Sequence, residues 1–348
     1  MAYTTINKST DHFNTKLYSG NGSTQNITGV GFQVDFNWLK SRTQTEGHYL
    51  QDVIRGSTKH IHSNNSDAED TASTAVTSFD SDGFTLGNKA DLNGSGNTYC
   101  SWNWKANGAG SANTDGSISS TVSANTTAGF SIIKYTGNAT DNASVGHGLG
   151  TAPKMLIIKE LTSTSNWGAW HQGLTDGGYR LSLQETAAQV SDTAFMGGGN
   201  RAIPTNSVFY LGSGGGGNSS SDNYIAYAFS EIKGFSKMGS YTGNGNADGT
   251  FIYTGFKPAF VMWKKSSGTE DWGISDNKRD TSNVIENKLR PNSNSAESTA
   301  NAHMDFLSNG FKWKSTSGEF NASGGTYIYM AFAEAPLVGS NNVPCTAR

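Results

Sequence analysis

Charge is scarce in this chain. Only 15% of its 348 residues are Asp, Glu, Lys or Arg, and the formal net charge is −3. No basic run exceeds two residues, so the electrostatic footprint of a nucleic-acid binder is missing. Long apolar runs are missing too. No segment approaches the ~20 apolar residues that span a bilayer. The opening Met1-Ala-Tyr-Thr-Thr-Ile-Asn7 has neither the basic region nor the apolar core of a signal peptide. The two cysteines, Cys100 and Cys345, lie far apart. They offer no disulfide framework and no metal-ligand spacing, which points to a reducing cytoplasm. No Gly-X-Y period exists, so a collagen is excluded.

What the chain does have is turn-forming residues. Gly, Ser, Thr and Asn together make 155 residues, against 34% hydrophobic residues and six prolines. These types favour turns and short strands, whereas a helical protein draws on Ala, Leu, Glu, Lys and Arg. The 38 aromatic residues and the low net charge argue against disorder. The composition therefore predicts an all-β protein.

Self-similarity carries more information than composition. Tyr18-Ser-Gly-Asn-Gly22 recurs as Tyr135-Thr-Gly-Asn138 and as Tyr241-Thr-Gly-Asn-Gly245. Each is followed by an apolar run: Phe36-Asn-Trp-Leu-Lys40, Lys154-Met-Leu-Ile-Ile-Lys159 and Phe260-Val-Met-Trp-Lys264. A third marker is Phe79-Asp-Ser-Asp-Gly-Phe-Thr-Leu86, matched by Phe209-Tyr-Leu211 and Phe306-Leu-Ser-Asn-Gly-Phe311. A fourth closes each unit: Asn97 to Trp104, Asn223 to Phe229 and Gly325 to Phe332. Units of about 100 residues are too long for a solenoid turn and suit small domains. The pattern predicts three tandem antiparallel β-sandwich or jelly-roll-like modules, each packing its own core. The expected divisions are an N-terminal arm (1–16), modules at 17–112, 113–238 and 239–337, and a tail (338–348). One short helical turn per unit is expected near Ala68-Glu69, Glu185 to Ala188 and Ala296-Glu297.

The repeat also serves as an internal control on candidate chemistry. Gly212 to Gly217 lacks the Lys-Ser/Thr of a phosphate loop and reads as a flexible hairpin tip. Asp80-Ser-Asp82-Gly83 opens like a calcium loop, but the closing glutamate is missing and unit three keeps only the glycine. His60 and His62 share one strand face with His48 upstream, yet zinc needs more ligands and a second shell. Asp52-x-x-Arg55 and Asp276-x-x-Arg279 coincide in units one and three and read as turn clamps. No Gly-x-Ser-x-Gly elbow occurs. Paired carboxylates for glycoside hydrolysis stay open, because their separation is spatial. Trp167, Trp170 and Trp272 are candidate glycan-facing aromatics, with core packing as the competing reading. Tyr3, Ile6 and Phe13, on an arm with no counterpart before the other units, are candidate attachment residues. No catalytic residue, cofactor or metal is assigned.

The opening Phe13-Asn-Thr-Lys-Leu-Tyr18, the run Gly31 to Lys40 and Ser78 to Gly87 resemble a repeated β module of virion proteins from tailed, particularly marine, bacteriophages. Tyr253 to Met262 and Asn321 to Pro336 resemble the same family, so the likeness covers about residues 13–337. It implies a structural role in a tail fibre, knob or capsid decoration, in a virion assembled in the bacterial cytoplasm. Other virion proteins are the implied partners. A homo-oligomer, with a trimer favoured, is expected by analogy with phage appendages, and a host-surface glycan is the alternative ligand. Nucleic acid and membrane insertion are not expected.

Overall fold

The turn-rich sequence folds into short antiparallel strands in a computed structural model, which describes residues 3–214, 216–299, 303–341 and 343. Unit one contributes β1 (Phe13–Ser19), β2 (Gln25–Thr28), β3 (Phe36–Ser41), β4 (Tyr49–Asp52) and β5 (Lys59–His60). It continues with β6 (Asp70–Thr71), β7 (Val76–Asp80), β8 (Gly83–Leu86) and β9 (Thr98–Trp104). Unit two supplies β10 (Ser111–Asn113), β11 (Ser120–Asn125), β12 (Phe130–Thr136), β13 (Ala143–Gly146) and β14 (Met155–Glu160). Then come β15 (Gly168–His171), β16 (Tyr179–Arg180), β17 (Val190–Ser191), β18 (Val208–Leu211) and β19 (Asn223–Phe229). Unit three supplies β20 (Ser236–Thr242), β21 (Phe251–Tyr253), β22 (Phe256–Lys265) and β23 (Gly273–Asp276). It ends with β24 (Met304–Leu307), β25 (Gly310–Trp313) and β26 (Thr326–Pro336).

One strand order occurs three times. The main sheets run β1-β9-β3-β4, β12-β19-β14-β15 and β20-β26-β22-β23, with β10 and β11 added outside β12. A smaller sheet lies beside each: β2-β8-β7, β13-β18 and β21-β25-β24. Registers agree as well. Tyr99, Tyr224 and Tyr327 sit opposite Tyr18, Tyr135 and Tyr241. Each pair stacks, with ring centroids 5.1, 5.1 and 5.0 Å apart. Of the four expected boundaries, three fall inside a strand, namely β1, β10 and β20, and the last follows the end of β26.

The glycine of the first marker has a steric reason. A Cβ on Gly20, Gly137 or Gly243 would lie 2.2, 2.2 or 2.3 Å from the carbonyl oxygen of Gly94, Ser219 or Ala322. The following Asn donates its backbone N–H to a buried amide: Asn21 to Asn93, Asn138 to Asn218 and Asn244 to Asn321. The first and last strands of each main sheet are thereby tied to the turn between them.

The central strands of every main sheet are buried on both faces. Along β9, Cys100, Trp102 and Trp104 face one way and Tyr99, Ser101 and Asn103 the other, as the period of two requires. Ile225, Tyr227 and Phe229 of β19, and Ile328, Met330 and Phe332 of β26, repeat the first face. All of these first-face residues enter a single core shared by the three units. The opposite faces pack against the small sheets in three separate cores. The expectation that each unit packs its own core holds for the face that meets the small sheet, while the other face enters a core common to all three units. At the centre, Trp104, Phe229 and Phe332 form a triangle with centroid separations of 6.2, 5.8 and 6.2 Å. The sheets close into a pseudo-threefold ring within one chain.

The expected helical turns are corrected too. Among the described residues, the α-helical turn is Ala90–Asn93 and a 3-10 turn spans Ser9–Asp11. The Ala/Glu segments instead run without helix toward the neighbouring unit, where a backbone bond overrides their helix propensity.

Candidate functional site

The junctions between units gather the buried polar chemistry. At each one the same backbone N–H donates to the same carbonyl of the next unit. Glu69 donates to Leu161 at 3.1 Å, Gln189 to Ser266 at 3.0 Å and Glu297 to Arg42 at 2.8 Å. A ring N–H crosses back at each seam. Trp167 donates to the His62 carbonyl at 2.9 Å, Trp272 to that of Ser182 at 3.0 Å and His48 Nε2 to that of Arg290 at 2.8 Å. Three equivalent junctions with one hydrogen-bond plan define head-to-tail contacts that close.

Two junctions add a charged clamp. Asp52 holds Arg55 at 2.5 Å and accepts from Tyr227 of unit two at 2.8 Å. Asp276 holds Arg279 at 2.6 Å and accepts from the Trp102 indole of unit one at 3.0 Å. Arg279 reaches Glu297, which also binds Arg42 of unit one. Each aspartate also accepts the N–H groups of its own turn, as expected from spacing, and both clamps are fully buried. Burial alone would raise the Asp276 carboxyl, but the Arg279 guanidinium holds it below its ordinary value. At the third junction neutral residues stand in for the clamp, with Leu174 at the spacing of the arginines. His171 takes the aspartate's register position, and Gln189 replaces the glutamate. His171 donates from Nε2 to the Tyr329 carbonyl at 3.2 Å and accepts the Gly173 N–H at Nδ1. Burial lowers its pKa to about 4.

Three buried lysines also repeat. Lys40, Lys159 and Lys264 donate to the carbonyls of Ser41, Glu160 and Lys265 at 2.8, 2.6 and 2.7 Å. Burial lowers each to about 8.

A different kind of site lies on the outer edge of unit three. Phe251 and Tyr253 occupy one face of edge strand β21, 44% and 49% exposed, while Ile252 between them is buried. They are the exposed large aromatics among the described residues. The same register positions hold Asn26 and Thr28 in unit one and Ser144 and Gly146 in unit two. The fold therefore does not demand aromatics there. Tyr3 lies alongside, its hydroxyl donating to the Gly255 carbonyl at 2.9 Å. Lys233 Nζ sits 4.4 Å from the Tyr3 ring centre and Lys237 Nζ 5.4 Å from that of Tyr253. The sequence signal for this site was available in the repeat itself: an aromatic-x-aromatic edge found in one unit of three.

The model of one family, described as a domain of unknown function (DUF7483), matches residues 8–336. The chain belongs to that family. The match runs from the 3-10 turn to the end of β26, so a DUF7483 domain is the whole three-unit ring, not one repeat. No curated protein and no solved structure matches the chain.

Within this DUF7483 ring the residues singled out from sequence take other places than expected. Trp167, Trp170 and Trp272 are buried, at 0%, 4% and 1% exposure, and offer no free face to a sugar. Trp167 and Trp272 wedge the junctions, while Trp170 belongs to unit two's outer core and donates to the Asp176 carbonyl. The assignment of Tyr3, Ile6 and Phe13 to an arm that attaches to other proteins is corrected for Ile6 and Phe13. Phe13 stacks on Phe332 at 4.8 Å and Ile6 lies in the shared core, so the segment docks on its own chain. Asn7 ties it to Ser340 of the tail. Residues 1–2 and Cys345 lie outside the described residues, and Cys100 is buried.

His60 and His62 pack around the Tyr49 ring, and His62 Nδ1 bonds the His48 carbonyl. Among the described residues no group of three His, Cys, Asp or Glu is placed to hold a metal ion. Asp82 accepts the N–H groups of Gly29 and Gly31, at 3.0 and 2.6 Å, and so clamps a turn. The two ends of the glycine loop are anchored: the Gly217 carbonyl accepts from Tyr135, and the Gly212 carbonyl accepts from Asn218. A hollow of about 220 Å³ within unit three and one of about 290 Å³ at the seam of units three and one share Lys278. Both are smaller than a usual ligand pocket.

Proposed function

We propose that this DUF7483 protein is a non-enzymatic structural component of a phage virion: a tail fibre, knob or capsid decoration. The observation that carries the reading is the closed pseudo-threefold ring, joined to the resemblance of its repeat markers to virion modules. The buried carboxylates, imidazoles and lysines act as junction clamps and carbonyl donors, which are building roles. A ring whose three units share one core resists local opening, as a particle exposed outside the cell requires. Because Ile6 and Phe13 are consumed inside the ring, attachment to other virion proteins falls to the outer surfaces. Assembly of several copies, with a trimer favoured, would use those same surfaces. Mass spectrometry of purified particles tests the reading. The protein should copurify at a fixed copy number, and its absence from intact particles would overturn the proposal.

Recognition of a host-surface glycan is the second reading. The exposed ring pair Phe251 and Tyr253 favours it, in place of the buried tryptophans.

A further inference from the structure

Exposed aromatic pairs need a reason when the fold supplies none. At β21 the other two units use Asn, Thr, Ser and Gly, and those strands form normally. Side chains two apart on a strand share a face and stand ~7 Å apart along it. Phe251 and Tyr253 thus present two neighbouring flat apolar surfaces, a spacing on which successive rings of a saccharide chain can rest. The C–H faces of sugars pack against aromatic rings, and hydroxyls at the rim then need polar partners. Tyr3 supplies one, because its hydroxyl is fixed against the Gly255 carbonyl beside Tyr253. Burial, followed by the neighbouring Tyr253, pushes the Tyr3 hydroxyl up to about 12, so it stays protonated.

The charge at this edge narrows the ligand. Lys233 is exposed and Lys237 half-buried, each beside one of the tyrosine rings. Neither forms an ion pair with a carboxylate among the described residues; Lys237 donates instead to the Tyr253 carbonyl at 3.0 Å. Lys237 is itself peculiar to this unit, since Asn14 and Ser131 hold the same register. Aromatic faces with two uncompensated amines fit a ligand carrying rings and negative charge together.

We infer that the Tyr3–Phe251–Tyr253 edge, with Lys233 and Lys237, is a binding site for acidic saccharide chains. The inference rests on the glycan reading and is independent of particle membership. Isothermal titration of the full chain with polygalacturonate oligosaccharides, and with uncharged dextran oligosaccharides of equal length, tests it. The acidic chain should bind, more weakly as salt rises, and the neutral one should bind much less. Phe251→Asn with Tyr253→Thr, which installs unit one's residues, should leave the melting temperature unchanged. That variant should weaken binding about tenfold or more, as loss of aromatic anchors does. Lys233→Met with Lys237→Met should flatten the salt dependence while leaving the rings intact, and it serves as the second variant should the first fail to fold. No binding of the acidic chain, equal binding of the neutral one, or full binding by both variants would each overturn the site. A protein that binds polygalacturonate but is absent from particles would refute the virion reading and leave this one standing.

Discussion

At the residue scale, the exchange of Asp52 and Asp276 for His171 adds one proton to the protein's response to acid, beside those of His60 and the other histidines that burial lowers. His171 is buried without a carboxylate partner, and its pKa falls from 6.5 to about 4. The unfolded chain therefore binds a proton that the folded chain refuses. Stability must fall as pH drops from 6.5 toward 4, by up to about 1.4 kcal/mol per pH unit for this one proton. Urea midpoints of wild type and His171→Gln at pH 7 and pH 5 check this. The variant should show a shallower loss, and an unchanged slope would remove His171 from the acid response. Phe260 makes a simpler case. It is fully buried and contacts Phe13, Trp102, Trp104 and Phe332. Phe260→Ala should cost about 3–5 kcal/mol, the range for truncated core aromatics, by equilibrium unfolding. A cost below about 1 kcal/mol would contradict its place in the shared core.

At the scale of elements, the repeated amide makes the sharpest comparison. Asn93, Asn218 and Asn321 are fully buried and join the first marker's turn to the loop before the last strand. Replacing any one by Ala strands a backbone N–H and two carbonyls. Each substitution should cost about 2–3 kcal/mol, near the penalty for buried unsatisfied groups. Equal costs in the three units would show that one device is used three times. Much of this level was legible in the sequence. The Tyr-x-Gly-Asn markers, the apolar runs and the closing strands all mark real strands, because period and turn chemistry are local. Their packing was not legible. Phe260 to Lys264 reads the same whether its second face meets its own unit or a neighbour. The clamp Asp276–Arg279 likewise reads as a local turn pair, since spacing does not reveal that Trp102 lies across the junction. The aromatic edge was missed for a different reason: β21 is three residues long, too short for a periodicity signal.

At the scale of the whole molecule, the shared core decides how the chain unfolds. Separating unit three would expose Phe260, Met262, Ile328, Met330 and Phe332, all of which face the other units. It would also break the Glu297 bond to Arg42 and leave the Trp102–Asp276 contact without its partner. The Asp276–Arg279 pair itself would stay intact and return to water, so the cost of separation comes from the exposed apolar faces and the lost cross-unit hydrogen bonds. Units built this way cannot melt one at a time, as beads on a string would. Calorimetry should therefore give one transition whose van't Hoff and calorimetric enthalpies agree. Residues 236–337 expressed alone should fail to give a stable monomer. They should aggregate, or associate with themselves through the face that normally meets units one and two. A fragment that stays monomeric with a cooperative melt would show that the inner face is dispensable, and that the ring is three domains touching instead of one core divided in three.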